Sequence, residues 1–219
     1  MPDPATPDPG VKVDIRALFA TPVIVAVHPE AAAINAALGP LILARAESTP
    51  STKHSNLGGW QSSWDFDTWG GDQGARLIGF ALALATRLTM TRDGKPARPQ
   101  WRANSWANVN RRGHGNEFHT HPGSFWSGVY YVDSGYSDGG GADSALGGEL
   151  EVADPRGPAP AMYRPELVPA LTGAESSGAS VLIRPVAGQV ILFPAWLSHA
   201  VRPYLGDGVR ISVAFNLSL

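Results

Sequence analysis

From residue 101 to the C-terminus the chain is a series of short Val-, Ile- and aromatic-rich segments, at residues 101–110, 127–133, 148–153, 181–186, 189–193 and 209–217. They are separated by Gly-, Pro-, Asp- and Ser-rich stretches. Branched and aromatic side chains fit a pleated surface, and turn residues between them make each segment reverse on its neighbour. Such a half-chain is predicted to close as an antiparallel sandwich or barrel rather than a parallel α/β sheet. Upstream, residues 29–45 and 72–91 carry apolar residues at helical spacing behind Pro-Glu and Gly-Asp starts, and read as helices. Residues 11–27 supply one or two strands broken at Thr21-Pro22, and residues 55–71 read as loop. The Pro-rich first ten residues cannot form a helix and are expected to be a disordered tail. Residues 11–219 then form one domain, with a helical part at 11–98 packed on a β core at 99–219.

Composition removes whole classes of chemistry. There is no cysteine among 219 residues, so disulfides, zinc–thiolate sites, iron–sulfur clusters and thiol nucleophiles are excluded and any metal must be held by histidine or carboxylate. A formal net charge of −2 argues against a nucleic-acid backbone or an anionic membrane as the main partner. No apolar run is long enough to span a bilayer and the N-terminus lacks a signal-peptide pattern, so a cytoplasmic protein is expected. A homodimer is expected from the frequency of such assemblies alone.

His119-Thr120-His121 places two imidazoles at i and i+2. On extended chain they leave the same face with Cα atoms about 6.5–7 Å apart, close enough to share one metal ion. His199 follows the strand-like Gly-Gln-Val-Ile-Leu-Phe-Pro at 188–194, where a neighbouring strand would bring a distant third ligand back. Spacing alone equally allows two surface imidazoles beside Pro122. His28, His54 and His114 have no partner at ligand spacing and read as surface or core residues. On the last segment Arg210 and Ser212 share one face, while Ile211, Val213 and Phe215 share the other. Arg210 either faces solvent on an edge strand or, if buried, pairs with an anion that its planar guanidinium matches.

Taken together, several motifs resemble the double-stranded β-helix oxygenases dependent on Fe(II) and 2-oxoglutarate, and among them a bacterial and phage group. They are Trp-Ala-Asn at 106–108, His-Thr-His-Pro at 119–122, Ser-Gly-Val-Tyr-Tyr at 127–131, Phe-Pro-Ala-Trp-Leu-Ser-His-Ala-Val at 193–201 and Arg-Ile-Ser-Val-Ala-Phe-Asn at 210–216. The upstream Ser-Asn-Leu-Gly-Gly-Trp-Gln-Ser at 55–62 fits as well. The resemblance implies a mainly β, jelly-roll or cupin-like fold, a double-stranded β-helix with the N-terminal helices on one face. It implies an enzyme using Fe(II), 2-oxoglutarate and O2 to hydroxylate a C–H bond of a small-molecule or amino-acid-like substrate, with release of succinate and CO2. His119 and His199 match the family's iron ligands; Arg210 and Ser212 match the pair that holds the distal carboxylate of 2-oxoglutarate. Tyr131 matches a tyrosine reaching the same carboxylate, and Asn108 is a further polar contact; no catalytic residue beyond the metal site is implied.

The sequence departs from the wider family at position 121, where an aspartate or glutamate is usual and His121 stands. Either His121 ligates, or it points away and leaves an open position, or a carboxylate such as Glu149 or Glu117 takes the place. Trp101, Trp106, Phe118, Phe125, Trp126 and Trp196 surround the motifs as pocket walls or core aromatics, and the loops at 133–147 and 154–180 are expected to select substrate. Two other readings remain at this point: a cupin-type three-histidine metalloenzyme without 2-oxoglutarate, and a non-enzymatic β-sandwich binding module.

Overall fold

A computed structural model of the chain describes residues 18–137, 144–168, 176 and 178–219. The expected tail at 1–10 lies outside the described residues, as do 138–143, 169–175 and 177 of the two long loops. In chain order the elements are β1 (Ile24–Val27), α1 (Ala31–Ser48), β2 (Asn56–Leu57), β3 (Trp60–Gln61), α2 (Phe66–Trp69), α3 (Gly71–Arg87), β4 (Arg102–Asn110), β5 (Gly115–His119), β6 (Trp126–Asp133), β7 (Leu150–Ala153), β8 (Ser180–Ile183), β9 (Gln189–Pro194), β10 (His199–Val201) and β11 (Arg210–Ser218). Two antiparallel sheets form, ordered β1-β9-β6-β11-β4-β3 and β2-β5-β10-β7-β8. This is the mainly β architecture expected of a double-stranded β-helix, with helices on one face.

The two faces of the larger sheet differ: the outer is apolar throughout, the inner apolar on β6 and β9 and polar on β4 and β11. Its outer face carries Ala107 and Val109 of β4, Tyr130 and Val132 of β6, Val190 and Leu192 of β9, and Ile211, Val213, Phe215 and Leu217 of β11. Against them lie Ile34, Leu38 and Ile42 of α1 and Leu77, Ile78, Ala81 and Ala85 of α3, spaced so that each helix presents one stripe. Each fully buried aliphatic side chain contributes about 1.5–3 kcal/mol relative to exposure. Tyr130 reaches through this layer to donate to Asn35 of α1 at 2.5 Å. Helix α1 starts on a buried histidine: the Glu30 N–H donates to His28 Nδ1 at 3.0 Å, satisfying one of the free donors at the helix start.

Gly128 of β6 sets the depth of this packing. It pairs with Phe215 across the β6–β11 ladder, and a Cβ there would lie 2.5 Å from the Phe215 ring and 2.8 Å from the Ile191 carbonyl oxygen. Only glycine lets the ring lie down on the sheet.

The inner face of the same sheet meets the smaller one. Val129 and Tyr131 of β6 and Ile191 and Phe193 of β9 pack on Leu150 and Val152 of β7. Toward the β4 side this contact opens into a cavity.

The segment at 55–71, expected as loop, contains two two-residue strands and α2. Strands β5 and β10 are not among the elements expected from sequence, although His119 and His121 read as extended chain. In β10 only His199, Ala200 and Val201 pair, and in β5 the strand-poor Gly-Asn-Glu-Phe-His segment is held by ladders on both sides.

Candidate metal centre

His119 ends β5 and His199 begins β10, and the register places them opposite each other. His121 follows on chain that stays alongside the turn after β9, its N–H donating to the Ala195 carbonyl at 2.9 Å. One ligand nitrogen from each ring lies within 4.8 Å of the other two. The three expected metal ligands are therefore brought together.

Two of the rings are oriented in the same way. His119 Nδ1 meets the Glu117 carbonyl oxygen at 2.7 Å, and His199 Nδ1 meets that of Leu197 at 2.8 Å. A carbonyl only accepts, so Nδ1 carries the hydrogen in both and Nε2 keeps its lone pair for a metal. His121 Nδ1 instead meets the side-chain Nδ2 of Asn216 at 3.2 Å.

Burial lowers the pKa of all three. His121 is pushed down to about 3, first by desolvation and then by the neighbouring His199 and His119. His199 is lowered to about 4 by burial, partly opposed by its bond to Leu197, and His119 moves the same way for the same leading cause. Neutral rings at pH 7 are the state a cation requires.

Neither carboxylate alternative joins the group. The Glu117 side chain is exposed, and it is the residue's backbone that holds His119. Glu149 is buried, but its Oε1 pairs with the Arg184 guanidinium at 3.4 Å. Among the described residues the donor set is all imidazole, and imidazole and oxygen donors both suit Fe(II).

The same cavity is lined by a buried cation, Arg210. β11 runs between β4 and β6, so Arg210 is not on an edge strand, and it is only 2% exposed. Among the described residues no carboxylate forms an ion pair with it, and its Nε has no hydrogen-bond partner. Its guanidinium carbon lies 5.0 Å from the centre of the fully buried Tyr131 ring, whose hydroxyl is also without a partner. Burial pushes the Tyr131 pKa up, with Arg210 opposing. The ladders put Tyr131, Ser212 and Asn108 in one row across β6, β11 and β4. A buried guanidinium beside the unpartnered Tyr131 hydroxyl fits a carboxylate-bearing ligand, since an unpaired buried charge is otherwise strongly disfavoured.

All seven expected site residues line one cavity of about 290 Å³, near the lower limit for small-molecule pockets. Among the other lining residues, Asn216, Gln61, His54 and Trp64 carried no site role in the sequence reading. Asn216 has the parity of Arg210 and Ser212 on β11, a signal that was available. His54 and Trp64 are exposed and meet edge to face at 6.0 Å at the cavity rim, a pairing that no local pattern announces. Of the six aromatics near the motifs only Trp106 lines the cavity. Trp101 and Trp126 pack in the helix-facing core, while Phe118, Phe125 and Trp196 are at least half exposed. Where the 154–180 loop is described, Asp154 ties its two ends, accepting from the Arg156 side chain and from the Gly178 N–H at 2.8 Å.

A family model described as 2OG-Fe(II) oxygenase matches residues 104–216. No curated protein matches the chain. Among solved structures, a prolyl hydroxylase from Trichoplax adhaerens, in complex with a hypoxia inducible factor peptide fragment, is 14% identical with a TM-score of 0.61, covering 90% of this chain and 83% of its own. A prolyl-4-hydroxylase from Pseudomonas putida is 16% identical with a TM-score of 0.58, covering 90% and 91%. HygX from Streptomyces hygroscopicus, with nickel, 2-oxoglutarate and hygromycin B bound, is 12% identical with a TM-score of 0.57, covering 90% and 83%. At these identities the structural likeness establishes the fold.

Proposed function

We propose, from the premise that this chain belongs to the 2OG-Fe(II) oxygenase family, that His119, His121 and His199 hold its iron and that Arg210, Ser212, Tyr131 and Asn108 hold its cosubstrate. Membership makes the protein an enzyme, an oxygenase dependent on Fe(II) and 2-oxoglutarate, and sets aside the cupin and binding-module alternatives. When bound, iron with 2-oxoglutarate and O2 supplies an oxidant strong enough for an unactivated C–H bond, the cosubstrate leaving as succinate and CO2.

The chain's own contribution is placement. Neutral His119 and His199 offer Nε2 without first losing a proton, because burial holds their pKa values low. Arg210 and the Tyr131 hydroxyl receive the distal carboxylate in a region already closed to water, so its binding satisfies groups that are otherwise orphaned. Ser212, 2% exposed, and Asn108 beside it would offer further polar groups to the same carboxylate. An all-imidazole set would leave the iron one charge more positive than the usual histidine–carboxylate set.

The observation that carries this reading is the buried, uncompensated Arg210 lining the same cavity as the three histidines. Thermal melting with 2-oxoglutarate and Ni(II) tests it: stabilisation of the wild-type protein and none of Arg210→Ala supports the reading, and no shift of the wild type overturns it.

The reading takes residues 11–219 as one oxygenase domain, supported by the packing of α1 and α3 on the larger sheet. It takes the reaction to be hydroxylation of a small-molecule or amino-acid-like substrate by a cytoplasmic homodimer. That proteins of this fold bind a peptide in one case and hygromycin B in another is compatible with either substrate class. Among the described residues no helix is long and apolar enough to cross a membrane.

A further inference from the structure

We infer that Asn216, acting with Ser127, decides which nitrogen of His121 carries the hydrogen and so whether that ring offers a lone pair to the metal; the inference rests on the reading of His121 as third ligand.

A neutral imidazole has one N–H and one bare nitrogen. At His119 and His199 the choice is made by backbone carbonyls, which accept only, so Nε2 is permanently bare. At His121 the neighbour is a side-chain amide. Asn216 Nδ2 donates to His121 Nδ1 at 3.2 Å, which puts the ring hydrogen on Nε2 and removes the lone pair from the atom that would ligate. The other end of the same amide, Oδ1, accepts from Ser127 Oγ at 2.6 Å. Ser127 and Asn216 are direct cross-strand partners on β6 and β11, and Ser127 is 1% exposed.

A hydroxyl both donates and accepts. Turning the amide over therefore conserves both hydrogen bonds: Nδ2 now donates to Ser127 Oγ, and Oδ1 accepts from Nδ1–H of His121. His121 Nε2 is then bare. The amide has two positions with the same bond count and opposite consequences for the ring, and the coupling between amide and tautomer holds in either. Two ligands of the centre are thus built ready, and the third is ready only when Asn216 has turned. Asn216 is a positioning residue in this scheme, since it reaches the metal through His121.

The test reads the ring directly. In ¹⁵N-histidine NMR of the metal-free protein, His121 is expected as the Nε2–H tautomer, and with Zn(II) as a diamagnetic probe it is expected to change to Nδ1–H. His119 and His199 are expected as Nδ1–H throughout. A His121 tautomer that is the same with and without Zn(II) overturns the proposal, and this needs no variant to fold. Asn216→Asp offers His121 only acceptor oxygens, so it is expected to fix Nδ1–H without metal and to bind Zn(II) at least as tightly as wild type. Asn216→Ala leaves the ring unoriented and is expected to bind about 10–100-fold more weakly. Equal weakening in the two variants overturns the proposal as well. His121→Ala separates the premises: if it binds Zn(II) as tightly as wild type, the assignment of His121 as ligand fails. If it binds more weakly while the Asn216 variants match each other, only the switch fails.

Discussion

His119 and His199 face each other across the β5–β10 pair with ring centroids 4.4 Å apart. Just beyond them the register shifts, and Val201 pairs with Asn116. Gly115 makes that crossing feasible, since a Cβ there would meet the Val201 carbonyl oxygen at 2.5 Å. His199→Ala removes the most buried of the three rings and is expected to abolish stoichiometric metal binding and succinate release. Metal analysis and a succinate assay check both, and retained turnover would contradict the assignment.

Arg210 separates binding from stability. Replacing it by Met removes a buried charge that has no carboxylate partner among the described residues, so the metal-free protein is expected to melt at the same temperature or higher. Affinity for 2-oxoglutarate is expected to fall by about 2–5 kcal/mol, at least about thirtyfold, as for the loss of one member of a buried charge pair. Calorimetric titration in the presence of Ni(II), beside a melt without ligands, measures the two effects in one preparation.

His121→Asp restores the donor usual at this position in the wider family and is expected to retain iron, whereas His121→Ala binds it more weakly. Identical metal content and succinate release in the two variants would argue against direct ligation.

The low pKa values of the histidines give the metal-free protein an acid-side weakness. A ring held below 6.5 in the folded state takes up a proton in the unfolded chain first, so the unfolded chain binds more protons as pH drops. Above about pH 7.5 none of the three contributes to the pH dependence; stability then falls as pH decreases through 6.5 toward 4, where His199 begins to charge when folded. Melting temperatures from about pH 7.5 down to about pH 4.5 are expected to fall more steeply for wild type than for His121→Ala. Parallel slopes would show that His121 is not the source.

Gly128→Ala is expected to cost about 1–3 kcal/mol, the range for forcing a methyl group into a packed interior. The new Cβ would press on the Phe215 ring and on the Ile191 carbonyl. Denaturant unfolding measures the loss; an unchanged midpoint would mean that the ring has another place to go.

The helices and the long strands were legible because each satisfies its own periodicity. The alternation on β11 separates Arg210 and Ser212 from Ile211, Val213 and Phe215, and the fold keeps that division. Whether Arg210 is buried was not legible, since it depends on β11 lying between β4 and β6 rather than at an edge. Strands β5 and β10 escaped for a related reason: Asn116, Glu117 and His119 have little intrinsic preference for a sheet, and His199 heads only three paired residues, so their neighbours decide their conformation. The three histidines could be grouped from the sequence, but the hydrogen-bond partners that orient their rings could not. Two are backbone carbonyls, and a backbone carbonyl leaves no mark in a list of side chains.

The two-sided character of β11 also limits how proteins built this way can diversify. A one-residue slip of the strand's register would turn Arg210, Ser212 and Asn216 toward the helices and deliver Ile211, Val213 and Phe215 to the cavity, exchanging reagent for filler in a single step. A length change in this strand therefore costs the site its phase, whereas one in a connecting segment does not.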